Sequence, residues 1–287
     1  MAAVAIVTDT THYLPAEHVA RAGLHEVSLY VTDEAGQRRE ADITDLREFY
    51  ERLRASAGVP TTSQPSIGDF LAVYEPLATA GHDIVSVHLA GGISGTVEAA
   101  RQAAAALGER APERRVAVVD SEMACGALGL VALAAAGAAS AGGDVDAVVA
   151  RAREAMAATR LWFAVDTLEY LRRGGRIGAA QAWLGAALKI KPILSLEGQI
   201  TPVERVRTSS RAFQRMLDYL RSRADDGADA WVVQHIQAPD VADRLVDHGR
   251  ELFGREPAFV SEVGPVIGAH VGPGLVGVGG LPRSLLE

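Results

Sequence analysis

Short β-branched runs that alternate with helical stretches constrain this chain more than any other feature. Residues 4–7 form one run, leading into Thr8-Asp9-Thr10, and residues 25–31, 83–89 and 116–119 form three more. Helical patterns at residues 44–55, 66–80, 94–107 and 122–139 separate most of them. This alternation predicts βαβ units and a parallel sheet. Ligands of such folds bind beyond the carboxyl ends of the strands, which directs attention to Thr8-Asp9-Thr10, the loop around Gly91, and Asp120-Ser121.

The pattern changes near Leu161. Residues 161–167 read as a strand, and residues 191–207 read as a hairpin folded about Glu197-Gly198-Gln199. A helix at 209–223, a strand at 231–236, a helix at 239–253 and strands near Phe259 and Val276 follow. Hairpins mixed with single crossovers imply a mixed sheet. A chain of 287 residues exceeds what one hydrophobic core usually organises, so the expectation is two domains, residues 1–160 and 161–287, with a ligand between them.

A net charge of −8 argues against nucleic acid as a partner, because neutralising phosphates takes clustered Lys and Arg. Cys125 is the only cysteine and can form no internal disulfide. The start MAAVAIVTDTTHYLP lacks the basic region and long apolar core of a signal peptide, so the expected compartment is the cytoplasm. Residues 123–143 carry no charge over a membrane-spanning length, but they are mostly Ala and Gly. The expectation there is a helix buried on all sides of a protein core.

Three polar constellations can carry chemistry. Pro60-Thr61-Thr62-Ser63-Gln64-Pro65-Ser66 gathers hydroxyls before a helix, where capping alone would account for them. Gly91-Gly92-Ile93-Ser94-Gly95-Thr96 joins a strand to a helix, and glycines with unpaired helix-start N–H groups suit an anion without any Lys or Arg. No Gly-Lys-Ser/Thr follows, so it is not a nucleotide phosphate loop, and Gly92-Ile93-Ser94-Gly95-Thr96 lacks the last glycine of a nucleophile elbow. Gly268-Ala269-His270-Val271-Gly272-Pro273-Gly274 places a histidine on what reads as a constrained loop. The eight histidines are scattered without metal-ligand spacing, so neither a metal nor another cofactor is expected. Arg172-Arg173-Gly174-Gly175-Arg176 is the remaining basic cluster. It suits either a helix end or a docking patch for an acidic partner or anionic lipid headgroups.

The ordered set of motifs resembles the DegV family, the fatty-acid-binding subunits of bacterial fatty acid kinases. It comprises Ile6-Val7-Thr8-Asp9-Thr10, Thr62-Ser63-Gln64-Pro65, Ser94-Gly95-Thr96, Val119-Asp120-Ser121, Tyr170-Leu171-Arg172-Arg173-Gly174-Gly175-Arg176-Ile177, Leu188-Lys189-Ile190-Lys191-Pro192-Ile193-Leu194 and His270-Val271-Gly272-Pro273-Gly274. The resemblance implies an α/β fold in which a three-layer α/β/α domain with a parallel sheet precedes an α/β domain with a mixed sheet. It also implies an apolar tunnel for a long-chain fatty acid, whose carboxylate is held by Thr62, Ser94, Gly95, Thr96 and His270 and presented to an ATP-dependent kinase subunit. Arg172, Arg173 and Arg176 are the candidate docking residues, with transient membrane contact as a further expectation. Where family members often carry serines ahead of Ser-Gly-Thr, this chain has Ala90, Gly91 and Gly92, so backbone donors at Gly91 to Gly95 would have to substitute. The other reading of the residues is a lipid hydrolase or acyltransferase with Ser94 as nucleophile and His270 as base.

Overall fold

The computed structural model describes residues 2–56, 58, 60–184 and 190–287. From the amino end the chain runs β1 (Val4–Asp9), α1 (Ala16–Ala22), β2 (His25–Val27), β3 (Tyr30–Asp33), β4 (Gly36–Arg39), α2 (Leu46–Ala55), β5 (Thr61–Ser63), α3 (Ile67–Thr79), β6 (Asp83–His88), α4 (Thr96–Arg110), β7 (Val116–Asp120), α5 (Cys125–Ser140) and α6 (Val145–Ala158). It continues with β8 (Arg160–Ala164), α7 (Glu169–Arg173), β9 (Lys191–Glu197), β10 (Gln199–Val206), α8 (Ser209–Asp225), β11 (Ala230–His235), α9 (Pro239–Phe253), β12 (Phe259–Glu262), α10 (Pro265–Val271) and β13 (Val276–Leu281). Leu188 and Lys189 of the 188–194 motif lie outside the described residues.

The amino-terminal part is built on a parallel sheet in the order β2-β1-β6-β7, and the carboxyl-terminal part on a mixed sheet in the order β10-β9-β8-β13-β11-β12. In the mixed sheet only β11 and β12 run parallel; the other neighbours are antiparallel. Both α/β sheets expected from the patterning are therefore present. Local chemistry sets their boundaries. Ser66 caps α3 in a capping box with Asp69, Asp144 accepts from Ala147 N–H at the start of α6, and Thr208 accepts from Arg211 N–H at the start of α8. Gly198, at φ 72°, makes the tight turn between β9 and β10.

Residues 25–31 differ from the single strand that their composition predicts. They form β2 at the edge of the parallel sheet and then β3, which pairs with β4 and β5 in a separate antiparallel sheet. The break falls where side chains replace ladder partners. Leu29 N–H donates to Thr10 Oγ1, and Ser28 Oγ donates to the Leu29 carbonyl while accepting from Ala41 N–H. The strand expected over 161–167 stops at Ala164, and Thr167 Oγ1 accepts from Glu169 N–H at the start of α7.

The uncharged stretch is α5, and it lies at the centre. It packs on β1 and β6 of one sheet and on β11 and β13 of the other. Leu128, Leu130 and Val131 are fully buried, each contributing about 1.5–3 kcal/mol from burial. Its glycines permit the close approach: a Cβ on Gly129 would stand 3.1 Å from Leu14. No helix among the described residues is long and apolar enough to cross a membrane.

Candidate functional site

A cavity of about 100 Å³ lies beside the amino end of α5. Leu89, Ile93, Ala124 and Cys125 come to it from the parallel-sheet part, and Leu161, Phe163, Leu196, Ile200, Gln234 and Gly277 from the mixed-sheet part. Val266, Ile267 and Val271 of α10 close a third side. One ordered water needs only ~10–15 Å³ of such space and two to four polar partners. This space is several times larger and mostly aliphatic, so an apolar guest suits it better than water.

Polar groups gather on part of the lining. Thr62 arrives on β5, Ser94 and Gly95 on the turn before α4, and His270 in the last turn of α10. Thr62 Oγ1 and His270 Nε2 are hydrogen-bonded at 2.7 Å. Burial, with the Arg176 guanidinium adding to it, pushes the His270 ring down to about 4, so the ring is neutral at physiological pH. Among the described residues its Nδ1 is buried without a partner, and it faces Gly174, where any Cβ would collide with it. The Arg-Arg-Gly-Gly-Arg element is thus packed against the histidine, a relationship that spacing alone does not reveal.

His270 is helical, not in a loop as its flanking glycines suggest. Pro265 occupies the first turn of α10, where its missing N–H costs nothing, and Gly272 at φ 75° ends the helix with the Tyr170 ring packed over it. Glu40 braces the other end of α10. Its buried carboxylate accepts from Thr10 Oγ1 at 2.5 Å, Tyr13 OH at 2.8 Å and Val266 N–H at 2.8 Å. Burial raises the Glu40 carboxyl above its ordinary range in spite of those donors. Tyr50 OH reaches the carbonyls of Val263 and Gly264 just before α10, and a Cβ on Gly268 would collide with it.

Not every expected residue joins the cavity. Thr96 lies outside its lining, fully buried, with Oγ1 2.9 Å from Ser94 Oγ. Three of the backbone donors expected to substitute for missing serines, from Gly91 to Gly95, are engaged within the protein: Gly91 N–H donates to Asp120, and Ile93 and Ser94 N–H donate to the Ala90 carbonyl. Arg172 and Arg173 also lie away from the cavity, both paired with Glu169, whose carboxyl their hydrogen bonds pull down to about 2. Arg176 departs from the other two. It lines the cavity, and its guanidinium donates to the carbonyls of Ile93 and Gly174. The Ser94–His270 pairing required by the hydrolase reading is not formed: Ser94 bonds Thr96, and His270 bonds Thr62. Two further lining residues lie outside the expected head-group set: Gln64 belongs to the Thr62-Ser63-Gln64-Pro65 element without an expected role of its own, and Gln234 carries no motif signal. Gln64 lies over Gly95, close enough that a Cβ there would collide with its amide, and Gln234 is a buried amide in the sheet wall. Among the described residues no group of three or more His, Cys, Asp or Glu side chains is placed to hold a metal ion.

Comparison with known proteins agrees with this architecture. Residues 3–283 match the family described as uncharacterised protein, DegV family. A DegV domain-containing protein of Streptomyces coelicolor is 47% identical over 280 residues, covering 96% of this chain and 97% of its own. The DegV family protein of Thermus thermophilus described for its fatty acid binding superposes with a TM-score of 0.87 at 33% identity, over 98% of this chain and 99% of that one. DegV of Bacillus subtilis, described as a fatty acid binding protein, superposes with a TM-score of 0.85 at 34% identity, over 97% of this chain and 99% of that one. With its family model spanning nearly the whole chain and both sheets shared with these structures, this protein belongs to the DegV family.

Proposed function

We propose that this protein binds one long-chain fatty acid in the cavity beside α5 and presents its carboxylate to a separate ATP-dependent kinase for acyl phosphate formation. The observation that carries the reading is the Thr62–His270 pair on the wall of an otherwise largely aliphatic cavity. A tail of ~15 methylenes at ~0.8 kcal/mol each supplies a gross driving force of about 12 kcal/mol, before ordering costs reduce it. Affinity comes from the tail, and the head needs hydrogen bonds so that its charge is not stranded. Thr62, Ser94, Gly95, Thr96 and His270 form the head-group site in this reading, with Thr96 acting through its bond to Ser94. Residues 1–160 and 161–287 are the two domains, and the ligand lies between them. The protein works in the cytoplasm without metal or nucleotide, touching membranes only transiently. Phosphoryl transfer needs bound magnesium and a phosphate cradle, for which this chain has no recognisable motif, so they come from the partner. Arg172, Arg173 and Arg176 form the docking patch.

Native mass spectrometry of the purified protein, followed by organic extraction, is the first test. One fatty acid per chain is the expected result, and titration with palmitic acid should weaken when Thr62 or Ser94 becomes alanine. Unchanged affinity in both variants would overturn the head-group assignment. With labelled ATP, magnesium and fatty acid, acyl phosphate should appear only when the kinase subunit is added; its appearance without the kinase would overturn the division of labour.

A further inference from the structure

Strand β13 carries glycine at positions 277, 279 and 280, an unfavourable choice inside a strand unless close approach requires it. Protein atoms require two of the three. A Cβ on Gly279 would fall on the Arg160 carbonyl oxygen, and one on Gly280 would stand 2.8 Å from the Ala230 carbonyl oxygen and 3.0 Å from that of Ala228. Gly277 is different. Its nearest neighbours would be Phe163 Cβ at 3.5 Å and the Trp162 carbonyl oxygen at 3.6 Å, ordinary contact distances, and its backbone is not in the left-handed region. The protein itself leaves room for a side chain there.

The position also faces the cavity. In the sheet register Gly277 stands opposite Phe163 on β8 and opposite Gln234 on β11, and all three line the cavity. Gln234 cannot swing in to fill the gap, because its carbonyl accepts from Gly126 N–H and its amide donates to Ser261 Oγ at 2.9 Å. The result is a notch with room for at least a methyl group, bordered by Phe163 and a fixed amide.

We propose that Gly277 is a specificity-determining residue: the acyl chain lies against the bared backbone at this notch, and the absent side chain sets how long a chain the cavity accepts. The inference rests on the fatty-acid reading above. Adding a methyl group at 277 fills space that only the ligand uses, so it should act on chains long enough to reach the notch and spare shorter ones.

The experiment compares wild type, Gly277→Ala and Thr62→Ala, each titrated with decanoic, myristic, palmitic and stearic acids, after thermal unfolding confirms that each variant is folded. Gly277→Ala should lower affinity for palmitic and stearic acids about tenfold, the scale of overpacking one methyl group, while leaving decanoic acid nearly unchanged. Thr62→Ala should weaken every chain by a similar factor, because the head group is common to all. Phe163→Leu combined with Gly277→Ala reopens the notch and should restore part of the long-chain affinity, which also guards against a folding defect in the single variant. A chain-length profile in Gly277→Ala parallel to that of wild type would overturn the inference while leaving fatty acid binding intact. Failure of wild type to bind any of the four acids would instead overturn the functional reading beneath it.

Discussion

Thr62 and His270, 208 residues apart in sequence, share a 2.7 Å hydrogen bond that joins the small antiparallel sheet to α10. Burial, together with the Arg176 guanidinium that lines the same cavity, keeps the histidine ring from taking up a proton. The histidine is held neutral, and in the proposed function the Thr62 hydroxyl turns toward the fatty acid carboxylate.

Replacing His270 by alanine removes a hydrogen-bond partner from Thr62 and from the incoming carboxylate together. The expected loss is about 1.5–3 kcal/mol of fatty acid binding if the bond to the carboxylate is charge-assisted. Isothermal titration with palmitic acid checks it, and an unchanged dissociation constant would remove His270 from the site.

The pH dependence of stability reports the same residue. In the unfolded chain the ring titrates near its ordinary value of 6.5, whereas in the folded protein it stays neutral down to about 4. Between these values the unfolded state binds the extra proton, so this contribution is complete above 6.5 and is lost as pH falls toward 4. Urea unfolding of wild type and His270→Gln at stepped pH should show the stability gap between them changing across that window in favour of the variant as acidity rises. A gap independent of pH would mean that the ring is not held neutral.

A buried chain of polar groups supports the loop that carries Leu89 and Ser94. Tyr74 OH donates to Ser86 Oγ, which bonds His88 Nε2, and His88 Nδ1 in turn meets Asp9 Oδ2 at 3.1 Å. Asp9 also accepts from Leu89 N–H and from Thr11. Burial alone would raise the Asp9 carboxyl, but these partners outweigh it and hold it below the ordinary carboxylate value. Asp9→Ala strands several buried donors and should cost about 3–5 kcal/mol of unfolding free energy. Denaturant titration checks this, and a cost below about 1 kcal/mol would show that the network relaxes without strain.

The arginine cluster divides into two parts in space. Arg172 and Arg173 stand outside the cavity on Glu169, while Arg176 lines it. Reversing the charge of Arg172 and Arg173 together should slow association with a kinase partner roughly tenfold at low salt and leave palmitic acid binding intact. Arg176→Glu should impair both. Stopped-flow association and equilibrium titration separate the two effects, and equal behaviour of all three arginines would contradict the division.

The sequence carries much of this architecture because periodicity and turn residues act locally. Alternating runs announce the parallel sheet, Glu197-Gly198-Gln199 announces the hairpin, and the Ala- and Gly-rich stretch reads as a buried helix. What stays hidden depends on distant partners. The break after β2 is made by Thr10 and Ala41 meeting Leu29 and Ser28, which no local pattern encodes. Glu40 and Tyr50 position α10 from separate elements, and nothing around either one in sequence suggests a tie to His270. Gly277 looks like the other glycines of β13 until its neighbours show that it alone of those three has room to spare.

A crystal structure of the protein with palmitic acid tests the central claim most directly. The account expects one acid in the cavity beside α5, its carboxylate within hydrogen-bond reach of Thr62 and His270 and its tail running along Phe163 and Gly277. A carboxylate placed at the sheet wall near Gln234, or an acid bound elsewhere with this cavity empty, would contradict it.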